Sequence, residues 1–202
     1  MFYVELSSCL FLIIILDFLP KIELTVFQLV NRDKRYFWCT HIINECLKKE
    51  GIFAVKLRTK IPSFPTDSRW INGHINNEKL IGEKPVVVYF WSVSCSLCGG
   101  AYNYIKQWKG KYGETFQLVG IHMPRSKEDL QEKRIKEAIK KGQMEDYIYL
   151  DHELIVTKQF QNRIVPSFYL FDKKGLLRHI QSGETGMMML EKRLLMLMNE
   201  NK

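Results

Sequence analysis

From Val55 onward, apolar stretches alternate with turn-forming residues in a pattern that predicts strands and helices in succession. Residues 86–91 are uniformly apolar, which is typical of a strand inside a sheet that is covered on both faces. Further strands are predicted at 116–121, 147–150, 167–171 and 176–181. Helices are predicted at 77–80, 96–109, 127–141, 151–161 and 187–199. This order predicts an α/β fold with a mixed central sheet, helices on both faces and an inserted central helix.

An N-terminal hairpin is predicted just before this series. Asn72-Gly73 stands between the apolar residues Trp70-Ile71 and Ile75. Asn-Gly between apolar neighbours is the strongest short-range signal for a two-residue hairpin turn. We therefore expect residues 70–75 to form two short strands that pair with each other.

Residues 1–54 are predicted to be an N-terminal extension to a single domain of residues 55–202. Three interpretations of the extension are open. The apolar stretch at 6–19 fits a membrane anchor, and the positive charges that follow it would then place the domain in the cytoplasm. Alternatively, residues 48–51 can be encoded by a ribosome-binding sequence with a GTG start at Val55, which would make the extension a mis-called start. The third interpretation is a genuine extra subdomain.

The basic excess of the chain lies in the predicted domain. Basic and acidic residues balance within 1–54, so the net charge of +8 belongs to 55–202. Its lysines are scattered through amphipathic segments without interleaved aromatic residues, which favours a solvated surface and no nucleic-acid partner. Cys95 and Cys98 are the only cysteines after residue 54, so the domain has none for a structural disulfide framework. This usage favours a cytoplasmic location.

The motif Cys95-Ser96-Leu97-Cys98 carries the candidate chemistry. It follows the apolar strand and precedes a predicted helix, where two thiols can close as a disulfide and reopen by exchange with another protein's sulfurs. Zinc binding would need a second pair of ligands, and the later histidines are single and widely spaced, so no metal site is predicted. Of these, His122 at the end of its strand is expected to be a surface or loop histidine.

Two motifs together carry a resemblance to a known family. Trp91-x-x-x-Cys95-x-x-Cys98 follows a Val-rich strand, and Val165-Pro166-Ser167-Phe168 enters a strand that ends at Asp172. With this combination, the chain resembles the TlpA/ResA-type thioredoxin-fold thiol-disulfide oxidoreductases over about residues 55–202. The resemblance extends to the stretches 81–85, 122–126 and 189–193.

The resemblance implies a thioredoxin-like fold that reduces or exchanges protein disulfides, with no cofactor beyond the redox-active disulfide. Cys95 would be the nucleophile and Cys98 the resolving thiol. Pro166 would be a cis-proline, Val165 would offer backbone hydrogen bonds to the substrate, and Trp91 would shape the surface beside the dithiol. The implied partners are protein disulfides and an upstream reductant, either a thioredoxin system or a small thiol. The domain is expected to be a monomer.

The chain departs from related proteins at positions that assist the dithiol. Ser96-Leu97 differs from the intervening pairs of thioredoxin and of strong oxidants, and Tyr89 stands where thioredoxins have a buried aspartate. Gly99-Gly100 replaces an acidic residue of ResA-like proteins. Proton transfer is therefore expected to use water, Tyr89 or a distant carboxylate. Two alternatives stay open: a binding or chaperone module with weak redox turnover, and a membrane-tethered reductase in cytochrome c maturation.

Overall fold

The computed structural model of the chain describes residues 56–67 and 69–200. The predicted extension over 1–54, including the candidate anchor at 6–19, lies outside the described residues. Among the helices that are described, none has the length and apolar character needed to cross a membrane.

Within the described residues, six strands form one mixed sheet. The strands are β1 (Trp70–Ile71), β2 (Val86–Trp91), β3 (Gln117–His122), β4 (Tyr147–Leu150), β5 (Ser167–Phe171) and β6 (Leu177–Ser182). The helices are α1 (Asn77–Leu80), α2 (Cys98–Tyr112), α3 (Glu132–Gly142), α4 (Ile155–Gln159) and α5 (Met187–Asn199), with 3-10 turns at Gly113–Thr115 and Lys127–Leu130. The sheet order is β1-β4-β3-β2-β5-β6. Strands β2, β3 and β4 run parallel, whereas β1, β5 and β6 pair antiparallel with their neighbours.

The central strand β2 is buried along its whole length, because its side chains alternate between two apolar cores. On one face, Val87 and Tyr89 belong to a core that includes residues of α2, α3 and α5. On the opposite face, Val88 and Phe90 belong to a core that includes Leu80 of α1 and Val156 of α4. Helices therefore cover both faces of a mixed sheet, which confirms the predicted fold class.

The predicted N-terminal hairpin is wrong. Strand β1 pairs with β4, so that Trp70 lies opposite Tyr149 and Ile71 opposite Ile148. Asn72 and Gly73 do take up positive φ angles of 63° and 100°. However, the Asn72 side-chain amide donates to the carbonyls of Met144 and Asp146, at 2.8 and 3.0 Å. The turn thus fastens β1 to the loop before β4, and the chain does not fold back on itself.

Two helix predictions are confirmed with changed boundaries. The inserted helix is present as α3, preceded by a separate 3-10 turn at Lys127–Leu130. Helix α4 is shorter than predicted and begins at Ile155. Asp151 still caps it, because its carboxylate accepts the backbone N–H groups of Val156 and Thr157, at 3.2 and 2.7 Å.

Candidate dithiol site

Cys95 and Cys98 lie in the segment that connects β2 to α2 and are joined by a disulfide, with Cα atoms 5.5 Å apart. Cys95 is in the turn before α2, where its backbone N–H donates to the Ser92 carbonyl at 3.1 Å. Cys98 is the first residue of the helix. Helix α2 therefore begins two residues later than the predicted start at residue 96, so that Cys98 is its first residue and Cys95 lies before it.

The two sulfur-bearing residues differ in exposure. Cys95 is half-buried, whereas Cys98 is only 3% exposed. The intervening residues face solvent, and Leu97 is 47% exposed although it is apolar. Another protein can therefore reach Cys95 more readily than Cys98.

Tyr89 lies beneath the dithiol on β2. Its hydroxyl donates to the Cys98 carbonyl at 2.7 Å, and its ring stacks on Phe168 with centroids 5.0 Å apart. Burial raises the pKa of Tyr89 well above its usual range. Tyr89 is thus a fixed, protonated hydrogen-bond donor near neutral pH, which removes it from the groups that could accept a thiol proton.

Val165 and Pro166 reach the same end of the sheet as the dithiol. Strand β5 runs antiparallel to β2, with Ser167 opposite Phe90, so the residues before β5 lie beside those after β2. The Val165–Pro166 peptide bond is cis, as the resemblance predicts. Pro166 is buried and Val165 half-buried, while the neighbouring Ile164 is 55% exposed. Val165 and Cys95 pack against the same core.

A groove of about 350 Å³ opens beside the dithiol. Both cysteines and Trp91 line it together with residues of α2 and of the end of α3, and Asn103 and Lys141 are among its polar contributors. Within the described residues Lys141 has no ion-pair partner. Cys98, although only 3% exposed, thus lies at a groove beside the dithiol.

A carboxylate missed by the sequence analysis holds the segment that precedes Cys95. One oxygen of Asp129 accepts hydrogen bonds from the hydroxyls of Ser92 and Ser94, each at 2.7 Å, and from the Arg125 backbone N–H at 2.9 Å. Burial alone would raise the pKa of Asp129. The hydrogen bonds from Ser92, Arg125 and Ser94 outweigh this effect and lower it below its usual value. Asp129 is therefore an ionised carboxylate inside the protein.

His122 is completely buried next to this carboxylate, so the expectation of a surface or loop histidine is wrong. It lies opposite Trp91 in the β2–β3 register, with the two rings edge to face at 5.0 Å. Neither ring nitrogen has a hydrogen-bond partner among the described residues. Burial lowers the pKa of His122 to about 4, although the charge of Asp129 acts in the opposite direction. His122 is accordingly neutral at neutral pH.

The predicted site residues thus come together at one end of the sheet. Trp91 is buried and contributes an edge of the groove, Ser96 and Leu97 are exposed, and Pro166 lies across from β2. No signal in the sequence links Asp129 to the cysteines, since it is more than 30 residues away along the chain. Among the described residues, no group of three or more His, Cys, Asp or Glu side chains could hold a metal ion.

The described geometry defines a thioredoxin-fold protein with a redox-active dithiol. A comparison with curated proteins finds 42% identity over 140 residues to the thiol-disulfide oxidoreductase YkuV of Bacillus subtilis (strain 168), covering 69% of this chain and 95% of the relative. The chain belongs to the thioredoxin-like thiol-disulfide oxidoreductases and has that activity. No family model matches it.

Solved structures agree on the fold. A thioredoxin-like protein in the oxidized form, solved in solution, is 40% identical and superposes with a TM-score of 0.67, covering 73% of this chain and 100% of its own. A thiol-disulfide isomerase from Corynebacterium glutamicum is 21% identical, with a TM-score of 0.59 and coverage of 70% and 98%. The second likeness supports the fold alone.

Proposed function

We propose that this oxidoreductase reduces protein disulfides, with Cys95 as the nucleophile and Cys98 as the resolving thiol. The observation that carries this assignment is the difference in exposure between the two cysteines. The attacking sulfur has to meet a sulfur of another protein, which the half-buried Cys95 can do. The resolving sulfur has only to meet Cys95, and the Cys95–Cys98 disulfide supports the required proximity.

The reaction proceeds in two exchanges. In the reduced protein, the Cys95 thiolate attacks one sulfur of a substrate disulfide, forms a mixed disulfide and releases the other substrate sulfur as a thiolate. The Cys98 thiol loses its proton and attacks the Cys95 sulfur. This step breaks the mixed disulfide, releases the second substrate thiolate and forms the Cys95–Cys98 disulfide. Two electrons pass from the dithiol to the substrate, the Cys98 proton goes to water, and the two released substrate thiolates take up protons from solvent according to their own pKa values.

The surroundings of each sulfur support these roles. Cys95 stands just before α2, a helix of 15 residues whose first N–H groups stabilise negative charge near its start. Cys98 needs an acceptor for its proton, and Tyr89 is already a hydrogen-bond donor. Water in the groove beside Cys98 is the acceptor that we assign.

The substrate binds across the cis-proline. Val165 has no hydrogen-bond partner among the described residues, so its backbone groups are available to an extended substrate segment. Pro166 fixes the backbone next to it, and Trp91 supports the surface between them and Cys95. The exposed apolar side chains of Leu97 and Ile164 flank this path, which favours substrates with apolar residues beside their disulfide.

We further propose that the domain works as a cytoplasmic monomer without a bound cofactor. The absence of other cysteines from 55–202 supports a reducing compartment, where a thioredoxin system or a small thiol would return the disulfide to the dithiol. The direction of net transfer then follows from the compartment. One edge strand of the described sheet, β1, is only two residues long, which supports the monomer.

A trapping experiment tests the proposal. Cys98→Ser should accumulate mixed disulfides between Cys95 and substrate proteins, and Cys95→Ser should accumulate none under the same conditions. Reduction of insulin with dithiothreitol as electron donor should require both cysteines. Equilibration of the Cys95–Cys98 couple with glutathione then gives the direction. A potential close to that of DsbA, about −120 mV, would overturn the assignment as a reductase.

A further inference from the structure

The segment between β2 and Cys95 is held by a single buried oxygen. Oδ2 of Asp129 accepts the hydroxyls of Ser92 and Ser94 and the backbone N–H of Arg125. Ser94 is the residue directly before the nucleophile, and neighbouring Cα atoms lie about 3.8 Å apart. The carboxylate is therefore fixed one residue away from Cys95 along the chain, at the hydroxyl of Ser94.

The charge of this carboxylate is not neutralised by a cation. Within the described residues Asp129 has no ion pair, and its second oxygen is buried without a hydrogen-bond partner. His122 is adjacent but neutral near pH 7. Three neutral donors stabilise the charge without cancelling its field, and burial keeps solvent from screening it.

We propose that Asp129 is a positioning residue for Cys95, which fixes the preceding segment through Ser92 and Ser94 and places a buried negative charge beside the nucleophile. The assignment rests on the proposed role of Cys95. The carboxylate disfavours the Cys95 thiolate and so opposes the effect of the α2 N-terminus. A less stable thiolate means a less stable reduced form, so Asp129 makes the dithiol a stronger reductant.

Other charged groups face the same region and have to be kept constant. His122 and Glu128 are titratable neighbours of Asp129, and His152 interacts electrostatically with His122. Lys141, at the end of α3, lines the same groove as Cys95. Glu184 approaches α2 at Gly100, where its carboxylate oxygen lies 3.1 Å from the position of an added Cβ. None of these groups is altered in the variants below.

The test uses Asp129→Asn in the full chain, because Asn keeps the shape and an acceptor oxygen but removes the charge. In the reduced protein, the pH midpoint for alkylation of Cys95 by iodoacetamide should fall by about half a unit to one unit. Above both midpoints, the equilibrium with glutathione should shift towards the reduced protein by about three- to tenfold. Asp172→Asn is the control for the loss of a buried, hydrogen-bonded carboxylate remote from Cys95, since Asp172 lies at the opposite end of β5, where it also pairs with Arg178.

Several outcomes would overturn the proposal: an unchanged or raised midpoint in Asp129→Asn, or an equal shift in Asp172→Asn. If Asp129→Asn does not fold, the wild-type protein provides the test through the carboxyl carbon shift of Asp129 in a pH titration. A carboxylate that is ionised across the neutral range supports the proposal, and one that is protonated at pH 7 overturns it. Neither readout uses turnover, so a failure of Cys98→Ser to trap substrates would be recognised separately.

Discussion

Replacement of Tyr89 by Phe separates the structural role of this residue from a role in proton transfer. The substitution removes the hydroxyl that donates to the Cys98 carbonyl at 2.7 Å and keeps the ring that stacks on Phe168. Since the packing is retained, the loss is that of one buried hydrogen bond, about 1 kcal/mol. The loss of stability rises towards about 3 kcal/mol only if the Cys98 carbonyl is left without any hydrogen-bond partner.

We expect the free energy of unfolding of the oxidised protein, measured in urea, to fall by about 1–2 kcal/mol with an unchanged m-value. Insulin reduction should stay within about twofold of the wild-type rate, because a factor of two corresponds to only about 0.4 kcal/mol of barrier. The physical reason is that burial raises the pKa of Tyr89 far above neutrality, so it has no capacity to accept the Cys98 proton. A tenfold loss of rate in a variant that is folded under the assay conditions would refute this reasoning.

Tyr169→Phe provides the matched control for this experiment. Tyr169 is also buried in the sheet, and its hydroxyl makes hydrogen bonds of 3.1 Å to the Phe160 carbonyl and to the Asn162 side chain. These contacts lie in the core on the opposite face from Tyr89. A similar loss of stability with an unchanged rate is expected, and a loss of rate here would show that the assay reports general destabilisation.

Three further predictions concern stability. Burial lowers the pKa of His122 from 6.5 to about 4, so the unfolded chain takes up the proton first and stability falls as the pH drops through this window. Between pH 7 and pH 4, the free energy of unfolding should fall by about 3 kcal/mol, at about 1.4 kcal/mol per pKa unit. In His122→Phe, urea unfolding should show a smaller dependence of the free energy of unfolding on pH. A pH dependence equal to that of the wild type would contradict the assignment. Ile105→Ala, at a fully buried position on α2, should lower the free energy of unfolding by about 2–5 kcal/mol. Tyr104→Ala, at the exposed neighbouring position, should lower it by less than about 0.5 kcal/mol. Equal losses of stability in thermal unfolding would argue against the described core. Asp151→Ala should lower the free energy of unfolding by about 0.5–2 kcal/mol, because the backbone N–H groups at the start of α4 lose their acceptor. Asp151→Asn should recover part of this stability in the same assay. An alanine variant as stable as the wild type would exclude the cap.

The strands were the most predictable part of this fold. The run at 86–91 has no polar residue to interrupt it, and a strand that is buried on both faces needs such a run. The cysteine motif could be recognised equally well, because its spacing and its position after a strand are local properties of the sequence. The cis bond before Pro166 was predicted only through the family resemblance.

Long-range contacts explain what the sequence did not disclose. Asn72-Gly73 adopts turn-like angles, yet hydrogen bonds from Asn72 to the loop before β4 decide which strand β1 joins. His122 stands at a strand end, where only the packing of the following loop determines whether it meets solvent. Asp129 becomes part of the dithiol site because the same loop folds back over Ser92 and Ser94. Periodicity along the chain contains no information on these contacts.

The two outer strands of the sheet also bear on how the protein behaves in a crowded solution. Strand β1 is only two residues long, so it presents little backbone for another chain to extend. At β6, residues 58–60 cover the start of the outer edge: the Arg58 N–H donates to the Leu177 carbonyl at 2.7 Å, and the Leu177 N–H donates to the Thr59 carbonyl at 2.9 Å. Strand β1 and the start of β6 are therefore poor templates for aggregation by strand addition. A protein that must expose apolar side chains around a reactive sulfur can do so at the end of its sheet while these parts of its flanks resist self-association.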